Sequence, residues 1–290
     1  MMLFEVLKGS AHDLKDHRVE NPRLNAELLL AKCLGFSRET LYANLRREMQ
    51  AEEKETLDEL LRRRMAGEPL QYLLGHQEFW SVDLKVDPRV LIPRPETEVL
   101  VEEALSILSI PSCRVPRVLD IGTGSGAIVI ALTKDVGEIF AVATDISHEA
   151  LQVAKENARK VGVGQRIRFV RGDLLHPFRP LTGGVFDLIL SNPPYVCRSD
   201  IEELAREVKD HEPRVALDGG EDGLDFYRQM SRQAPSYLRE DGWLLVEIGQ
   251  EQGAKISALL EQSGCFSSPE LVRDLSGIER VIKVQKAGGS

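Results

Sequence analysis

Val118-Leu119-Asp120-Ile121-Gly122-Thr123-Gly124-Ser125-Gly126 leads directly into Ala127-Ile128-Val129-Ile130-Ala131-Leu132-Thr133-Lys134. The first four residues read as a buried strand, the glycines as a tight turn, and Ala127 to Lys134 as a helix. Parallel strands need a helical crossover, so a strand that turns through glycines into a helix points to an α/β sheet. Glycine amides can approach a ligand closely because no Cβ intervenes. The spacing is Gly-x-Gly-x-Gly, one residue short of the dinucleotide fingerprint, which weakens an NAD reading.

The alternation continues downstream. Phe140 to Asp145 predicts a strand, followed by a helix through Ala154, Asn157 and Ala158. Arg166 to Val170 predicts a third strand ending near Gly172-Asp173, and Phe186 to Leu190 a fourth. Asp222 to Leu238 reads as largely helical, Trp243 to Ile248 as a fifth strand and Glu251 to Leu260 as a helix. Two short strands near 270–273 and 280–284 close the chain. This pattern implies a doubly wound parallel sheet with helices on both faces. Asp145 ends the second strand 19 residues after Gly126, a position suited to a ribose diol. Asp173 ends the third and can accept from an adenine amine. The turn with two acids at successive strand ends outweighs a purely structural turn.

Ser191-Asn192-Pro193-Pro194-Tyr195 follows the fourth strand. Two prolines cannot donate ladder hydrogen bonds, so the strand must end there in a rigid loop. Ligands of open α/β sheets bind at this edge. An Asn amide and proline carbonyls offer acceptors to a planar NH2 group, and an aromatic ring can cover its face.

The first 75 residues read as helices without a β pattern. Ala26 to Leu34 stops at Gly35, and Glu52 to Met65 places Leu57, Leu60, Leu61 and Met65 on one stripe before Gly67. Arg62-Arg63-Arg64 reads as a solvated helix face in preference to an anion-binding patch. Val82, Leu84 and Val86 alternate with polar residues, Asp87-Pro88 makes a turn, and Val90-Leu91-Ile92 returns, which predicts a hairpin. Pro93 to Glu98 starts a helix with prolines and acids in its first turn.

Apolar and charged fractions of 42% and 29% are those of a soluble globular protein. No apolar run approaches the ~20 residues of a membrane span, and the N-terminus turns acidic too early for a signal peptide. A cytoplasmic location is expected. Cys33, Cys113, Cys197 and Cys265 are scattered, so unpaired thiols are expected and neither a disulfide framework nor a metal site is proposed. The net charge of −9 argues against a surface built to hold duplex DNA.

Together these residues resemble the class I S-adenosylmethionine-dependent methyltransferases. The resemblance implies a seven-stranded sheet whose last strand is antiparallel. It also implies that Gly122, Thr123, Gly124, Ser125 and Gly126 wrap the methionine part of S-adenosylmethionine, with Asp120 orienting its amine directly or through water. Asp145 would hold the ribose, and Asp173 and Leu174 would lie along the adenine. Relatives often have an aromatic residue at position 174. In this superfamily Asn-Pro-Pro-Tyr marks enzymes that methylate a nitrogen of a planar system, adenine in DNA or glutamine in protein. Asn192 Oδ1 and the Pro193 carbonyl would accept the two N–H groups, with Pro194 stiffening the loop and Tyr195 packing on the acceptor's planar group. Asn192 would also border the cofactor. No strong general base is evident, and none is expected to act before methyl transfer.

Gly67 to Gly75, Glu78-Phe79-Trp80, Leu91 to Glu98, His211-Glu212-Pro213-Arg214, Gly223 to Arg228, Glu247-Ile248-Gly249 and Glu279-Arg280-Val281 resemble the PrmC/HemK-type release-factor glutamine methyltransferases. The similarity runs from about residue 20 to 285. It implies methyl transfer to the glutamine of the Gly-Gly-Gln motif in class 1 peptide-chain release factors, by a monomer without membrane or direct DNA binding. The expected division is a helical substrate-binding domain over 1–77, a hairpin linker over 78–95 and a methyltransferase domain over 96–286. Arg94, Glu96 and Thr97 would lie at the interdomain hinge, with cofactor closure and helix capping weighed evenly. A DNA adenine methyltransferase and a non-catalytic adenosine-binding module are the alternatives; the acidic charge and helical N-domain count against the first, the intact loop at 192–195 against the second.

Overall fold

The computed structural model describes residues 1–110 and 114–288. Cys113, read from sequence as an unpaired thiol, and the terminal Gly289-Ser290 lie outside the described residues. Cys33, Cys197 and Cys265 are free thiols. Among the described residues no helix is long and apolar enough to cross a membrane.

The chain forms two units. The first comprises Met1–His76 together with Ala205–His211; the second comprises Gln77–Leu204 and Glu212–Ser290.

The first unit is helical: α1 (Leu3–Asp16), α2 (Pro22–Leu34), α3 (Arg38–Ala43), α4 (Ala51–Met65) and α5 (Leu70–Leu74). Pro22 opens α2, where its missing N–H costs nothing, and Gly35 ends it in the left-handed conformation at φ 64°. Leu3, Leu7 and Leu14 of α1 pack with Leu29 and Leu30 of α2 and Leu57 and Leu61 of α4. The arginine run of α4 differs from its sequence reading. Arg62 pairs with Glu59 and Arg63 with Glu68 on the outside, but Arg64 is buried. Position 64 follows Leu57, Leu60 and Leu61 at helical spacing and so faces inward. Its guanidinium donates to Asn25 Oδ1 at 2.7 Å, the Glu68 carbonyl at 2.9 Å and Glu207 Oε1 at 2.6 Å.

The second unit begins with a two-stranded hairpin, β1 (His76–Phe79) and β2 (Val82–Lys85). The predicted hairpin lay one strand too late, since Val90 to Ile92 form no strand. The turn is made by Trp80 and Ser81, both left-handed at φ 50° and 53°, a conformation usually announced by Asn-Gly. Phe79, Val82 and Leu84 join the hydrophobic core of the second unit.

The main sheet contains β3 (Arg117–Ile121), β4 (Phe140–Asp145), β5 (Ile167–Arg171), β6 (Phe186–Ser191), β7 (Leu238–Glu247), β8 (Glu270–Arg273) and β9 (Glu279–Gln285). Their order is β5-β4-β3-β6-β7-β9-β8. The first five are parallel, while β9 is antiparallel to β7 and to β8. This is the seven-stranded class I methyltransferase sheet. The helices of this region are α6 (Glu98–Leu108), α7 (Ala127–Asp135), α8 (His148–Val161), α9 (Arg206–Lys209, in the first unit), α10 (Asp225–Gln233) and α11 (Gly253–Gln262). Strand alternation divides the core. Val118, Leu188, Leu190 and Leu245 face α6 and α7, whereas Leu119, Ile189, Leu244 and Val246 face α10 and α11.

Candidate active site

β3 and β6 are neighbours although β4 and β5 intervene in sequence, so crossovers leave in opposite directions on either side of that gap. Such a switch point opens a crevice at the strands' carboxyl ends. Ile121 lies opposite Ser191 in register, and Ser191 Oγ donates to the Ile121 carbonyl at 2.6 Å. The glycine turn and the Asn-Pro-Pro-Tyr loop therefore emerge side by side. Between them lies a cavity of about 300 Å³ that Gly122, Gly124, Asp145, Asp173, Leu174, Asn192, Pro193 and Pro194 help to line.

The three glycines have different tasks. Gly122 and Gly124 are left-handed at φ 71° and 55°, and a Cβ at either would meet no protein atom within 4 Å. Both line the cavity and leave room there for a ligand's approach. Gly126 instead packs: a Cβ would stand 2.9 Å from Ile130 Cδ1 and 3.2 Å from Ala154 Cβ. Thr123 and Ser125 are buried and do not line the cavity. They hold the turn's shape, Thr123 N–H donating to the Thr144 carbonyl at 2.9 Å and the Ser125 carbonyl accepting from Asn157 Nδ2 at 2.9 Å.

Asp145 sits at the end of β4 and accepts the Gly124 N–H and the Ser147 N–H, each at 2.9 Å. Burial raises its pKa, and those N–H donors oppose the rise. Asp120 is fully buried. Its Oδ2 accepts from Thr123 Oγ1 at 2.6 Å, while Oδ1 has no hydrogen-bond partner among the described residues. Burial pushes its carboxyl up to about 7, opposed by the Thr123 hydroxyl. Asp173 is more exposed, with His176 Nδ1 3.7 Å away. Leu174, left-handed at φ 47°, lines the cavity and packs partly against the second core layer.

Across the cavity, Asn192 Nδ2 donates to Thr97 Oγ1 at 3.0 Å. Pro193 is buried and lines the wall. Tyr195 is half-buried and not among the lining residues; Gly249, having no Cβ, admits its ring, since a Cβ there would stand 3.1 Å from Tyr195 Cδ2. Gln252 clamps the loop by donating from Nε2 to the Tyr195 carbonyl at 3.0 Å while accepting the Gly249 N–H at 2.9 Å. The Tyr195 hydroxyl reaches Glu247 Oε1 at 3.5 Å, and Tyr227 donates to the Glu247 carbonyl at 2.8 Å.

Sequence reasoning gave Glu247 no task. It is 2% exposed, and its Oε2 has no hydrogen-bond partner among the described residues. Burial pushes its carboxyl up to about 7, against the Thr97 hydroxyl and the Arg280 charge. An acid between Val246 and Ile248 in an apolar strand was the available signal. Glu212 is marked in the sequence only by its place in His211-Glu212-Pro213-Arg214. It is buried, pairs with Arg94 and accepts the Ile92 N–H at 3.2 Å. Glu96 lies 3.9 Å from Arg280. Arg94, Glu96 and Thr97 do not line the cavity, and Thr97 makes no capping hydrogen bond to α6.

An open glycine cradle, an acid at the end of β4 and an apolar wall fit the ribose and adenine parts of S-adenosylmethionine, whereas the fully buried Asp120 does not line the cavity. A model of the PrmC N-terminal domain matches residues 5–75, and one of a methyltransferase domain matches 118–211. The release factor glutamine methyltransferase of Geobacter sulfurreducens is 43% identical, covering 96% of this chain and 94% of its own. That of Moorella thermoacetica is 42% identical, covering 97% of each. Among solved structures, a methyltransferase from Pyrococcus furiosus superposes with a TM-score of 0.51 at 17% identity, over 71% of this chain and 90% of its own. Human methyltransferase 10 domain containing protein gives 0.52 at 17%, over 71% and 88%.

Proposed function

The chain belongs to the release factor glutamine methyltransferase family, and on that premise we propose how its residues move a methyl group from S-adenosylmethionine to a release factor's glutamine amide. The target is the glutamine of the Gly-Gly-Gln motif in class 1 factors. The cofactor supplies an electrophilic methyl group on a sulfonium. Gly122 and Gly124 make room for its methionine part, Asp120 attracts the ammonium, Asp145 binds the ribose diol, and Asp173 with Leu174 borders the adenine.

An amide nitrogen is a poor nucleophile because its lone pair is delocalised. Asn192 Oδ1 and the Pro193 carbonyl accept its two N–H hydrogens, fixing the nitrogen and favouring its pyramidalisation toward the methyl carbon. Both acceptors also oppose the positive charge that develops on nitrogen. Pro194 keeps the loop rigid, and Tyr195 covers the amide plane with its hydroxyl directed at Glu247. The proton leaves late or after transfer. The observation that supports this reading is the place of Asn192 and Pro193 in the cavity wall, beside the glycine turn that the β3–β6 register brings next to them.

In this reading the helical N-terminal residues and the hairpin grip the factor, and the domain at 96–286 holds cofactor and glutamine. The protein works as a cytoplasmic monomer and needs no DNA. Tritiated S-adenosylmethionine is supplied with a class 1 release factor, its Gln→Ala variant, or duplex DNA. Label is expected in the wild-type factor alone. Label in DNA, or equal label in the variant, overturns the reading.

A further inference from the structure

Two consecutive prolines deprive a loop of the N–H groups by which backbone is usually tied down. Asn192 to Tyr195 must therefore be held at the loop's two ends or through its carbonyls. The entrance is fixed by Ser191, the last residue of β6, which donates to the Ile121 carbonyl at 2.6 Å. At the exit, Gln252 Nε2 donates to the Tyr195 carbonyl at 3.0 Å. The orientation of this amide is unambiguous. Its Oε1 accepts from the Gly249 N–H at 2.9 Å, a group that only donates, and the Tyr195 carbonyl only accepts. Just beyond, the Val196 N–H donates to the Leu217 carbonyl at 3.0 Å and its carbonyl accepts the Gly219 N–H at 2.9 Å. Three glycines make room for this arrangement. A Cβ at Gly249 would stand 2.8 Å from Gln252 Oε1 and 3.1 Å from Tyr195 Cδ2. One at Gly223 would stand 2.7 Å from Gln252 Nε2, and one at Gly219 2.8 Å from Tyr195 Cα and 2.9 Å from the Pro194 carbonyl oxygen. Bare backbone at three places thus closes on Pro194 and Tyr195 where a side chain would not fit.

We infer that Gln252 is a positioning residue for methyl transfer: by fixing the exit of the Asn-Pro-Pro-Tyr loop, it sets where Asn192 and the Pro193 carbonyl meet the acceptor. The inference rests on the acceptor roles proposed above for those two residues. Gln252 does not line the cavity, so it acts through the loop. With Ser191 at one end and Gln252 at the other, the prolines form a stiff span between two fixed points. Without Gln252 the span is fastened at its entrance and by Val196 only, and the Pro193 carbonyl is free to tilt about the entrance.

The test compares Gln252→Met, Gln252→Ala, Ile256→Val and Asn192→Ala, with turnover on a release factor, the KM for S-adenosylmethionine and the thermal midpoint as readouts. Methionine keeps the length of glutamine without its amide, and alanine removes the side chain altogether. Ile256→Val trims a methyl group from a fully buried position of α11, lowering stability while both Gln252 hydrogen bonds stay in place. Both Gln252 variants are expected to lower kcat by ~10-fold or more, as misplacement of a reacting group does, with the KM for S-adenosylmethionine unchanged. Ile256→Val is expected to lower the midpoint and keep the wild-type kcat. Wild-type kcat in either Gln252 variant, a raised KM for S-adenosylmethionine in place of a lowered kcat, or an equal fall of kcat in Ile256→Val overturns the inference. Full turnover in Asn192→Ala instead removes the acceptor role on which it rests, so the two failures are told apart.

Discussion

Ser191 Oγ donates to the Ile121 carbonyl at 2.6 Å, joining the last residue of one site-bearing strand to the last residue of the other. The register of β3 and β6 is thereby fixed where the cofactor turn and acceptor loop part company. Ser191→Ala removes this hydrogen bond to a buried carbonyl, which costs about 0.5–1.5 kcal/mol. The expected outcome is a lower denaturation midpoint with the urea slope unchanged. An unaltered midpoint would remove this bond from the account of the site.

Asn192→Ala should abolish turnover while cofactor binding persists, because the amide addresses the acceptor. Isothermal calorimetry with S-adenosylmethionine separates the two properties. Loss of cofactor binding in a folded variant would show that the roles are divided differently.

Asp145→Ala should weaken cofactor affinity by roughly 1.5–3 kcal/mol, the range for hydrogen bonds to a charged group. The Gly124 and Ser147 N–H groups lose their acceptor too, so a fall in thermal midpoint should accompany the weaker binding. Unchanged affinity would count against the ribose role.

Gly122→Ala and Gly126→Ala should part in opposite ways. At Gly126 an added methyl would crowd Ile130 Cδ1 at 2.9 Å and backbone Ala154 Cα at 3.3 Å. Overpacking of that kind costs about 1–3 kcal/mol of stability, on top of the left-handed strain that Gly126, at φ 83°, shares with Gly122. At Gly122 nothing within 4 Å opposes the methyl, so beyond the ~1–2 kcal/mol of left-handed strain the damage falls on cofactor affinity. Denaturation and calorimetry on both variants read the contrast, and equal stability losses would refute it.

Glu247 predicts a pH dependence with a definite sign. Its carboxyl lies at about 7 in the folded protein against an ordinary 4.5, so the folded state binds more protons between those values. Stability from this group is therefore full below about pH 4.5, declines as pH rises to about 7, and is level above it. Arg280 and the Thr97 hydroxyl moderate the shift, and Glu96 adds to it. Subtracting the Glu247→Gln profile from the wild-type profile of unfolding free energy should leave that downward slope. A difference that is flat between pH 4.5 and 7, or that rises, would contradict it.

The sheet could be read from sequence because apolar runs of period two and turn residues are local signals. Val118 to Gly126 and Phe140 to Asp145 needed no information from distant parts of the chain. Three features required that information. Trp80 and Ser81 turn the hairpin in a left-handed conformation that their side chains do not announce. Arg64 looks solvated within a run of arginines until Asn25 and Glu207 supply its partners. Thr97 and Asn192 are 95 residues apart, and no periodicity connects them. The glycine turn and Asp145 stand at strand ends that sequence can locate, whereas Thr97 comes beside Asn192 only in the folded chain.

The short segment 205–211 belongs to the helical unit although the residues on both sides of it belong to the other. The polypeptide therefore crosses between units three times, at 76/77, 204/205 and 211/212. A module joined by one crossing can be gained, lost or exchanged in evolution by a single genetic event. Here a deletion of residues 1–76 would leave Glu207 behind without the arginine it pairs with, stranded in the middle of the remaining chain. The two units are thus stitched into one inheritable piece, and neither can be exchanged without cutting the chain at more than one place.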